Sequence, residues 1–226
     1  MDTPAVVLSA VAGLLVGWFV VVRVVETIPE PSPLDARARI AVTMVNGALW
    51  AADAHKFHRW WIVAPYLLMF STFLAVSVVD LRVFRIPDRI LFPALGATVV
   101  MLIVSTIAVQ HGRGPIVDPL KFAGVGMLIY FGTLFLFHIV SPRGMGFGDV
   151  KLALLLGLGL GWIAPSYFNA FYLVLIALFL GCVCGIVFGL TMRLVKGRGG
   201  AFPFGPALVI STVYIILTFE KYITVV

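Results

Sequence analysis

Charged residues are scarce in this chain: only 12% of its 226 residues are Asp, Glu, Lys or Arg, whereas 62% are hydrophobic. A soluble domain carries about 25% charged residues. A water-soluble core of this size does not bury so much apolar surface, so an ordinary soluble protein is excluded. A spanning helix needs about 20 mostly apolar residues, which leaves room for roughly seven to nine of them. The composition predicts an all-α polytopic membrane protein.

Cysteine is nearly absent as well. Cys182 and Cys184 lie in one apolar run, and no C-x-x-C pair is present to bind zinc. Two residues apart on a helix, their side chains point about 200° apart, which makes them poor partners for each other. We interpret both as small packing residues. We expect no metal and no cofactor.

The chain also lacks a basic arm of the kind that binds nucleic acid. Its net charge of +6 is better explained by Lys and Arg in cytoplasmic loops, so we expect no nucleic-acid partner. A cleavable signal peptide is not indicated either, because Asp2 makes the start acidic and the apolar run from Pro4 to Val22 is longer than a signal's apolar region. Basic residues follow this run, which indicates a signal anchor with its N-terminus outside.

Apolar runs separated by polar breaks predict eight helices. The second is one of the two weakest candidates for spanning, because it carries Asn46 and Asp53, and the sixth is the other, because it is short and rich in glycine. The segments Pro31–Pro33 and Gly197–Gly200 are predicted loops. The helices are predicted at residues 4–25, 39–55, 60–81, 89–110, 121–141, 148–163, 166–194 and 202–224.

The distribution of Lys and Arg sets the expected orientation. With the N-terminus outside, the inside regions hold 11 basic residues and the outside regions hold 5, as the positive-inside rule requires. The inside residues are Arg23, Arg37, Arg39, Arg82, Arg85, Arg89, Arg143, Lys151, Arg193, Lys196 and Arg198; the outside residues are Lys56, Arg59, Arg113, Lys121 and Lys221. The loops after the third and fifth helices are therefore predicted to be cytoplasmic.

Glycines four residues apart predict close helix packing in lipid, because small residues let backbones approach. Asn46 is interpreted as a hydrogen-bonding residue between helices. The glycines are Gly13 and Gly17, Gly157 and Gly161, and Gly181, Gly185 and Gly189.

The first of two acidic motifs reads D-L-R-V-F-R-I-P-D, from Asp80 to Asp88. Asp80 ends a long apolar run, and Asp88 is placed to N-cap the helix that opens at Arg89. Asp80 has an ordinary alternative as a solvated helix-end charge paired with Arg82 or Arg85. Because an acid at a helix C-terminus opposes the helix dipole, helix stability alone does not favour it.

The second motif reads G-M-G-F-G-D-V-K-L, from Gly144 to Leu152. Its glycines permit unusual backbone conformations and leave room for a peptide backbone. Asp149 directly precedes an apolar helix, where it has an ordinary alternative as the N-cap.

Taken together, the two aspartates predict an acid dyad on one membrane face. Carboxylates near lipid are costly and seldom lie there without a function. Two close carboxylates share a proton, so the ionised one takes a proton from water while the protonated one polarises a scissile carbonyl. This is the chemistry of an aspartic endopeptidase.

These motifs resemble those of the prepilin peptidases, the type IV prepilin leader peptidases, which are membrane aspartyl proteases of the GxGD type. The second motif matches the family's G-x-G-D from Gly146 to Asp149, and Asp80 stands where the family has its other catalytic aspartate. The stretch F-P-F-G-P-A, from Phe202 to Ala207, resembles the family's P-F-G-P stretch before the last helix, and G-L-L-V-G-W-F-V-V-V-R, from Gly13 to Arg23, is similar to the first helix of long members.

The resemblance implies catalysis by Asp80 and Asp149 on prepilins or pseudopilins, whose basic leader stays cytoplasmic while their apolar helix lies in the membrane. It implies a multi-pass protein of the inner (cytoplasmic) membrane, contributing to pilus biogenesis and protein secretion. One peptidase domain would cover residues 1–226, with 1–58 similar to the N-terminal part of long members and 60–226 as catalytic core. The implied substrate-binding or supporting residues are Gly146, Gly148, Lys151, Pro87, Asp88, Pro203, Gly205 and Pro206.

One departure from the family pattern is informative. Long members carry two C-x-x-C pairs after the first helix, linked to N-methylation with S-adenosylmethionine. The corresponding region, Val24 to Arg39, contains no cysteine. We therefore expect a short form that acts as a peptidase, without metal binding there and without methyltransferase activity.

Two other functions compete with the peptidase. A silent relative would bind pilins without cutting them, and a transporter would use intramembrane carboxylates as an ion relay. A transporter would place acids at mid-membrane, whereas Asp80, Asp88 and Asp149 lie at one predicted face and Asp53 at the other. His55 and His58 lack a third ligand and are interpreted as solvated loop residues. His138 is interpreted as a packing or hydrogen-bonded residue.

Overall fold

The structure, a computed structural model, describes residues 3–28, 33–57, 59–109, 118–142, 145–196 and 203–219. Within these ranges the chain forms eight helical segments and no strand, so the predicted all-α fold is confirmed. Three predicted features lie wholly or partly outside the described residues: the loop at Gly197–Gly200, most of the loop at Pro31–Pro33, and the end of the last predicted helix. The helices are α1 (Thr3–Glu26), α2 (Ala36–Lys56), α3 (Trp60–Val83), α4 (Asp88–Val109), α5 (Asp118–Val140), α6 (Phe147–Trp162), α7 (Tyr167–Lys196) and α8 (Gly205–Thr218).

Five of these helices are long and apolar enough to cross a membrane: α1, α3, α4, α5 and α7. The helix α8 is a shorter apolar helix. The two weakest predicted spans, α2 and α6, are not among the five. Charged residues at both ends of α2 reduce its apolar length, and α6 has only 16 residues. The chain is thus a multi-pass membrane protein.

The described residues cluster into two compact units. The first unit contains α1 to α4. The second contains α5 to α8 together with Phe84–Pro87, the four residues that connect α3 to α4. The second unit is therefore assembled from two separate stretches of chain.

In the first unit, α1 packs closely on α2 through glycines, as predicted. A methyl group on Gly13 would lie 2.7 Å from Cβ of Trp50, and one on Gly17 would lie 3.0 Å from Cα of Thr43. Asn46 donates a hydrogen bond from Nδ2 to the carbonyl oxygen of Gly13, at 2.8 Å. The prediction that Asn46 joins two helices is confirmed. Because lipid offers no competing water, such a bond adds to the packing.

Asp53, near the end of α2, is fully buried, and neither carboxylate oxygen has a hydrogen-bond partner among the residues that the structure describes. Such burial costs about 1–3 kcal/mol for a polar group, and more for a charged one. Replacing Asp53 by asparagine removes the ionisable group without changing its shape. We expect Asp53→Asn to raise stability at neutral pH by about 1–3 kcal/mol, measured by thermal unfolding in detergent.

The matched control for this substitution is Asp35→Asn. Asp35 is exposed, and its side chain caps α2 by accepting a hydrogen bond from the Ala38 amide at 2.9 Å. Asparagine caps helices as well as aspartate does, so this variant is expected to unfold like the parent. A less stable Asp53→Asn variant would show that the buried carboxylate is a net stabilising group.

In the second unit, α5 and α6 meet backbone to backbone. Gly157 lies against the carbonyl of Gly126, and Gly161 lies against the carbonyl of Phe122. On α7, a methyl group on Gly181 would lie 2.9 Å from the Leu208 side chain of α8. The predicted packing role of these three glycines is confirmed, and the α5–α6 contact fixes the helix that carries Asp149.

Candidate active site

Asp80 lies in the last turn of α3 and is only 4% exposed. The helix ends at Val83, and Phe84 follows in the left-handed backbone region, at φ 54°. A residue other than glycine rarely adopts this conformation, which costs about 1–2 kcal/mol. Asp80 therefore lies near the end of α3, in the first unit, where the left-handed Phe84 stops the helix.

The connection from α3 to α4 packs within the second unit. Ile86 is buried, and a methyl group on Gly148 would lie only 3.0 Å from Ile86 Cβ. Pro87 precedes α4, which begins at Asp88, one residue earlier than predicted, so the prediction that Asp88 is the N-cap is wrong. Asp88 therefore occupies the first turn of α4, in the first unit, while Ile86 contacts the glycine motif.

Asp149 lies in the first turn of α6 and is 7% exposed. The ordinary alternative, in which Asp149 is the N-cap, is excluded: the helix begins at Phe147, and Gly146 is its N-cap. Gly146 has an extended backbone, with φ −66° and ψ 137°, and it starts the helix three residues before the aspartate. Asp149 is thus a buried acid beside a helix N-terminus, which favours the ionised form of a carboxyl group.

The two motif glycines differ in their surroundings. Gly148 abuts Ile86, whereas a methyl group on Gly146 would meet nothing closer than Oδ2 of Asp149, at 3.7 Å. Gly146 is also exposed and has a backbone that alanine adopts readily. Of these two positions, packing therefore disfavours a side chain only at 148.

This difference predicts opposite effects of two alanine variants on stability. Gly146→Ala is expected to unfold at the same temperature or slightly higher, because alanine restricts the unfolded chain. Gly148→Ala is expected to be about 1–2 kcal/mol less stable than Gly146→Ala, because the new methyl group crowds Ile86. Thermal unfolding of the two variants side by side measures the difference. Equal stabilities would show that Ile86 does not restrict position 148.

His138 positions the loop that leads to this motif. Its Nδ1 lies 2.9 Å from the carbonyl oxygen of Met145, and its ring is 5.4 Å from the ring of Phe147. The prediction that His138 is a packing or hydrogen-bonded residue is confirmed, with the hydrogen bond as its role. Its link to the motif was missed, because His138 lies seven residues before Met145 in the sequence. Lys151 lies over the Phe147 ring, with Nζ at 5.2 Å from the centroid.

The stretch before α8 forms the start of that helix, as predicted. Pro203, Gly205 and Pro206 are buried, α8 begins at Gly205, and Pro206 occupies its first turn. Phe202 lies outside the described residues. Further along α8, Ser211 and Thr212 lie near the fully buried Tyr130 hydroxyl, which is within electrostatic range of the Asp149 carboxylate. Sequence reasoning missed Tyr130, since a lone tyrosine in an apolar helix carries no signal.

The second unit thus brings together Gly146, Gly148, Asp149 and Lys151, with Ile86 against them. Asp80 and Asp88 belong to the first unit. Within the described ranges, no three His, Cys, Asp or Glu side chains lie close enough to hold a metal ion. Cys182 and Cys184 are both free thiols, and Cys182 is exposed.

Comparison with known proteins agrees with the motifs. The family model described as the type IV leader peptidase family matches residues 67–190, a range that contains both Asp80 and Asp149. The chain belongs to the type IV leader peptidase family. The matched range covers α4 to α6 completely, together with most of α3 and α7.

Curated relatives of this family member carry the name prepilin leader peptidase/N-methyltransferase. The chain is 30% identical over 174 residues to that of Stutzerimonas stutzeri, covering 75% of the chain and 55% of the relative. It is 34% identical over 142 residues to that of Pseudomonas putida, covering 61% and 44%, and 26% identical over 175 residues to that of Neisseria gonorrhoeae, covering 75% and 54%. The chain spans about half the length of these relatives. No solved structure matches it significantly.

Proposed function

We propose that this leader peptidase family member is an aspartic endopeptidase, with Asp80 and Asp149 as its catalytic pair. The observation that carries the proposal is the burial of two carboxylates at helix ends, both within the family-matched range. Burial raises the free energy of a charged acid, so buried acids near lipid are candidates for catalysis. Asp149 is not the helix cap, which removes its simplest structural explanation.

The proposed reaction is hydrolysis of a peptide bond by activated water. One carboxylate, ionised, takes a proton from water as the water oxygen attacks the scissile carbonyl carbon. The other, protonated, donates a hydrogen bond and then its proton to the carbonyl oxygen. The helix N-terminus at Asp149 stabilises negative charge there. Collapse of the tetrahedral intermediate breaks the C–N bond and releases the amine and the carboxylate.

The proposed substrates are type IV prepilins or pseudopilins, cut at the cytoplasmic face of the inner membrane. Prepilins are the substrates that the names of the chain's relatives contain. The exposed residues Gly146 and Phe147 leave a peptide backbone free to approach the start of α6, beside Asp149. Six further residues are proposed to support that site: Lys151, Pro87, Asp88, Pro203, Gly205 and Pro206.

We expect peptidase activity without methyl transfer, because residues 24–39 contain no cysteine. The test uses purified protein in liposomes with a prepilin whose leader and mature parts are resolved by mass spectrometry, with S-adenosylmethionine present. Leader release without a mass gain of one methyl group is the expected result. Binding of the prepilin without release would instead identify a silent relative.

A further inference from the structure

A cavity of about 800 Å³ opens on the first unit, outside the acidic motifs. Its floor is one face of α3, from Ala64 to Ala75. Its sides are the end of α1 with its C-cap, from Val16 to Thr27, and α4, from Arg89 to Met101. Trp50 of α2 closes part of the wall. All its lining residues belong to the first unit, so this groove is a feature of that unit alone.

Each lined helix face is about as long as one membrane leaflet is deep. The lined stretches of the first and third helical segments each contain 12 residues and that of α4 contains 13, which at 1.5 Å per residue step is roughly 17 Å. Half of a bilayer's hydrocarbon core is about 15 Å. Because the groove begins at the first turn of α4, it runs from the end where Arg89 lies into the apolar layer.

The polar side chains in the walls are already hydrogen-bonded within the protein, so a hydrocarbon chain can bind there without breaking hydrogen bonds. Trp50 Nε1 donates a hydrogen bond to Ser71 Oγ at 2.9 Å, and the Thr72 hydroxyl donates to the Leu68 carbonyl at 2.8 Å. The other lining residues along the length of α3 are aliphatic. An unbranched apolar chain therefore fits the interior, whereas a polar ligand finds no free partner within it.

The mouth of the groove is cationic. Arg89 is exposed and forms no ion pair with any residue that the structure describes. Guanidinium groups bind phosphates through charge-assisted hydrogen bonds, and basic sites beside membrane helices bind anionic lipid headgroups. In the orientation that the basic residues predict, this mouth faces the cytoplasm, where anionic lipids lie.

We propose that this groove binds one anionic phospholipid of the cytoplasmic leaflet, with an acyl chain between α1 and α4 and the phosphate on Arg89. A pilin helix is the competing occupant. A basic leader would place like charge at Arg89. The proposal does not depend on the catalytic role of the aspartates.

The test is native mass spectrometry of the full chain released from nanodiscs of equal phosphatidylglycerol and phosphatidylcholine. One phosphatidylglycerol is expected to remain bound to the parent protein. Arg89→Gln is expected to lower its retention relative to phosphatidylcholine about tenfold, as the loss of a charge-assisted hydrogen bond implies. Arg37→Gln is the matched control, because Arg37 is exposed on α2 outside the groove.

A second pair of variants tests the groove itself. Ala94→Phe places a ring in the groove and is expected to abolish retention of either lipid, whereas Val100→Phe adds the same bulk to α4 outside the lining. Unchanged retention in both Arg89→Gln and Ala94→Phe would overturn the proposal. Displacement of the lipid by a peptide with a pilin's apolar segment would also overturn it, and would assign the groove to the substrate.

Discussion

Asp80→Asn and Asp149→Asn are each expected to lower leader cleavage by about 10³-fold or more while the protein still inserts and folds. Asparagine has nearly the shape of aspartate but neither takes nor gives a proton at neutral pH. General acid–base catalysis contributes typically 10²–10⁴-fold, and loss of one member also deprives its partner of the shared proton. Both side chains are almost fully buried, so solvent does not readily replace them.

Cleavage is measured with a prepilin in proteoliposomes, under single-turnover conditions so that slow product release does not mask the chemical step. Asp35→Asn is the matched control, because it makes the same substitution at an exposed helix cap and is expected to leave the rate unchanged. A normal rate in either active-site variant would remove that aspartate from the pair. An identical loss in the Asp35 variant would point to folding.

Gly157→Leu and Gly161→Leu are expected to prevent normal folding of the second unit, at a cost of about 3 kcal/mol or more. Each glycine lies against backbone atoms of α5, and backbone does not rotate away from a new side chain as a lysine or methionine tip does. A leucine side chain at either position forces α5 and α6 apart. The separation removes their close packing, which is the main source of attraction between helices in lipid. Overpacking costs of this kind already reach 1–3 kcal/mol in soluble cores.

Unfolding temperature and the monodisperse fraction after detergent extraction measure this effect. The control is Gly132→Leu, on α5 itself, where an added methyl group has no atom within 4 Å. This variant is expected to extract and unfold like the parent. Parent-like behaviour of Gly157→Leu and Gly161→Leu would show that the α5–α6 spacing is not set by these glycines.

The helices were largely predictable, because a helix that crosses lipid appears in the sequence as a long apolar run. Pro87 and the glycine-rich loop interrupt these runs and mark the helix ends. Asn46 and the spaced glycines were also interpretable, since few roles suit them in an apolar helix. The start of α6 was placed late because sequence favours Asp149 as a cap over Gly146. The extended backbone of Gly146 and the packing of Ile86 on Gly148 decide that start, and neither is a local property.

The candidate site was predicted as two motifs, since acids beside glycine and proline are unusual near lipid. The role of His138 in positioning the glycine motif was not predicted, because its hydrogen bond to Met145 joins the two ends of a loop. The groove of the first unit was not predictable at all. Its lining consists of ordinary aliphatic residues from separate helices, and only their arrangement in three dimensions distinguishes them from other lipid-facing residues.

The attachment of Phe84–Pro87 to the second unit has a consequence for how this chain evolves. No single cut separates the two units, because Ile86 precedes α4 and yet packs on Gly148. An exchange of only the residues after α4 between two related genes would combine position 148 from one protein with position 86 from the other. A side chain at 148 would crowd Cβ and the backbone nitrogen of residue 86, so these two positions constrain each other although 61 residues separate them.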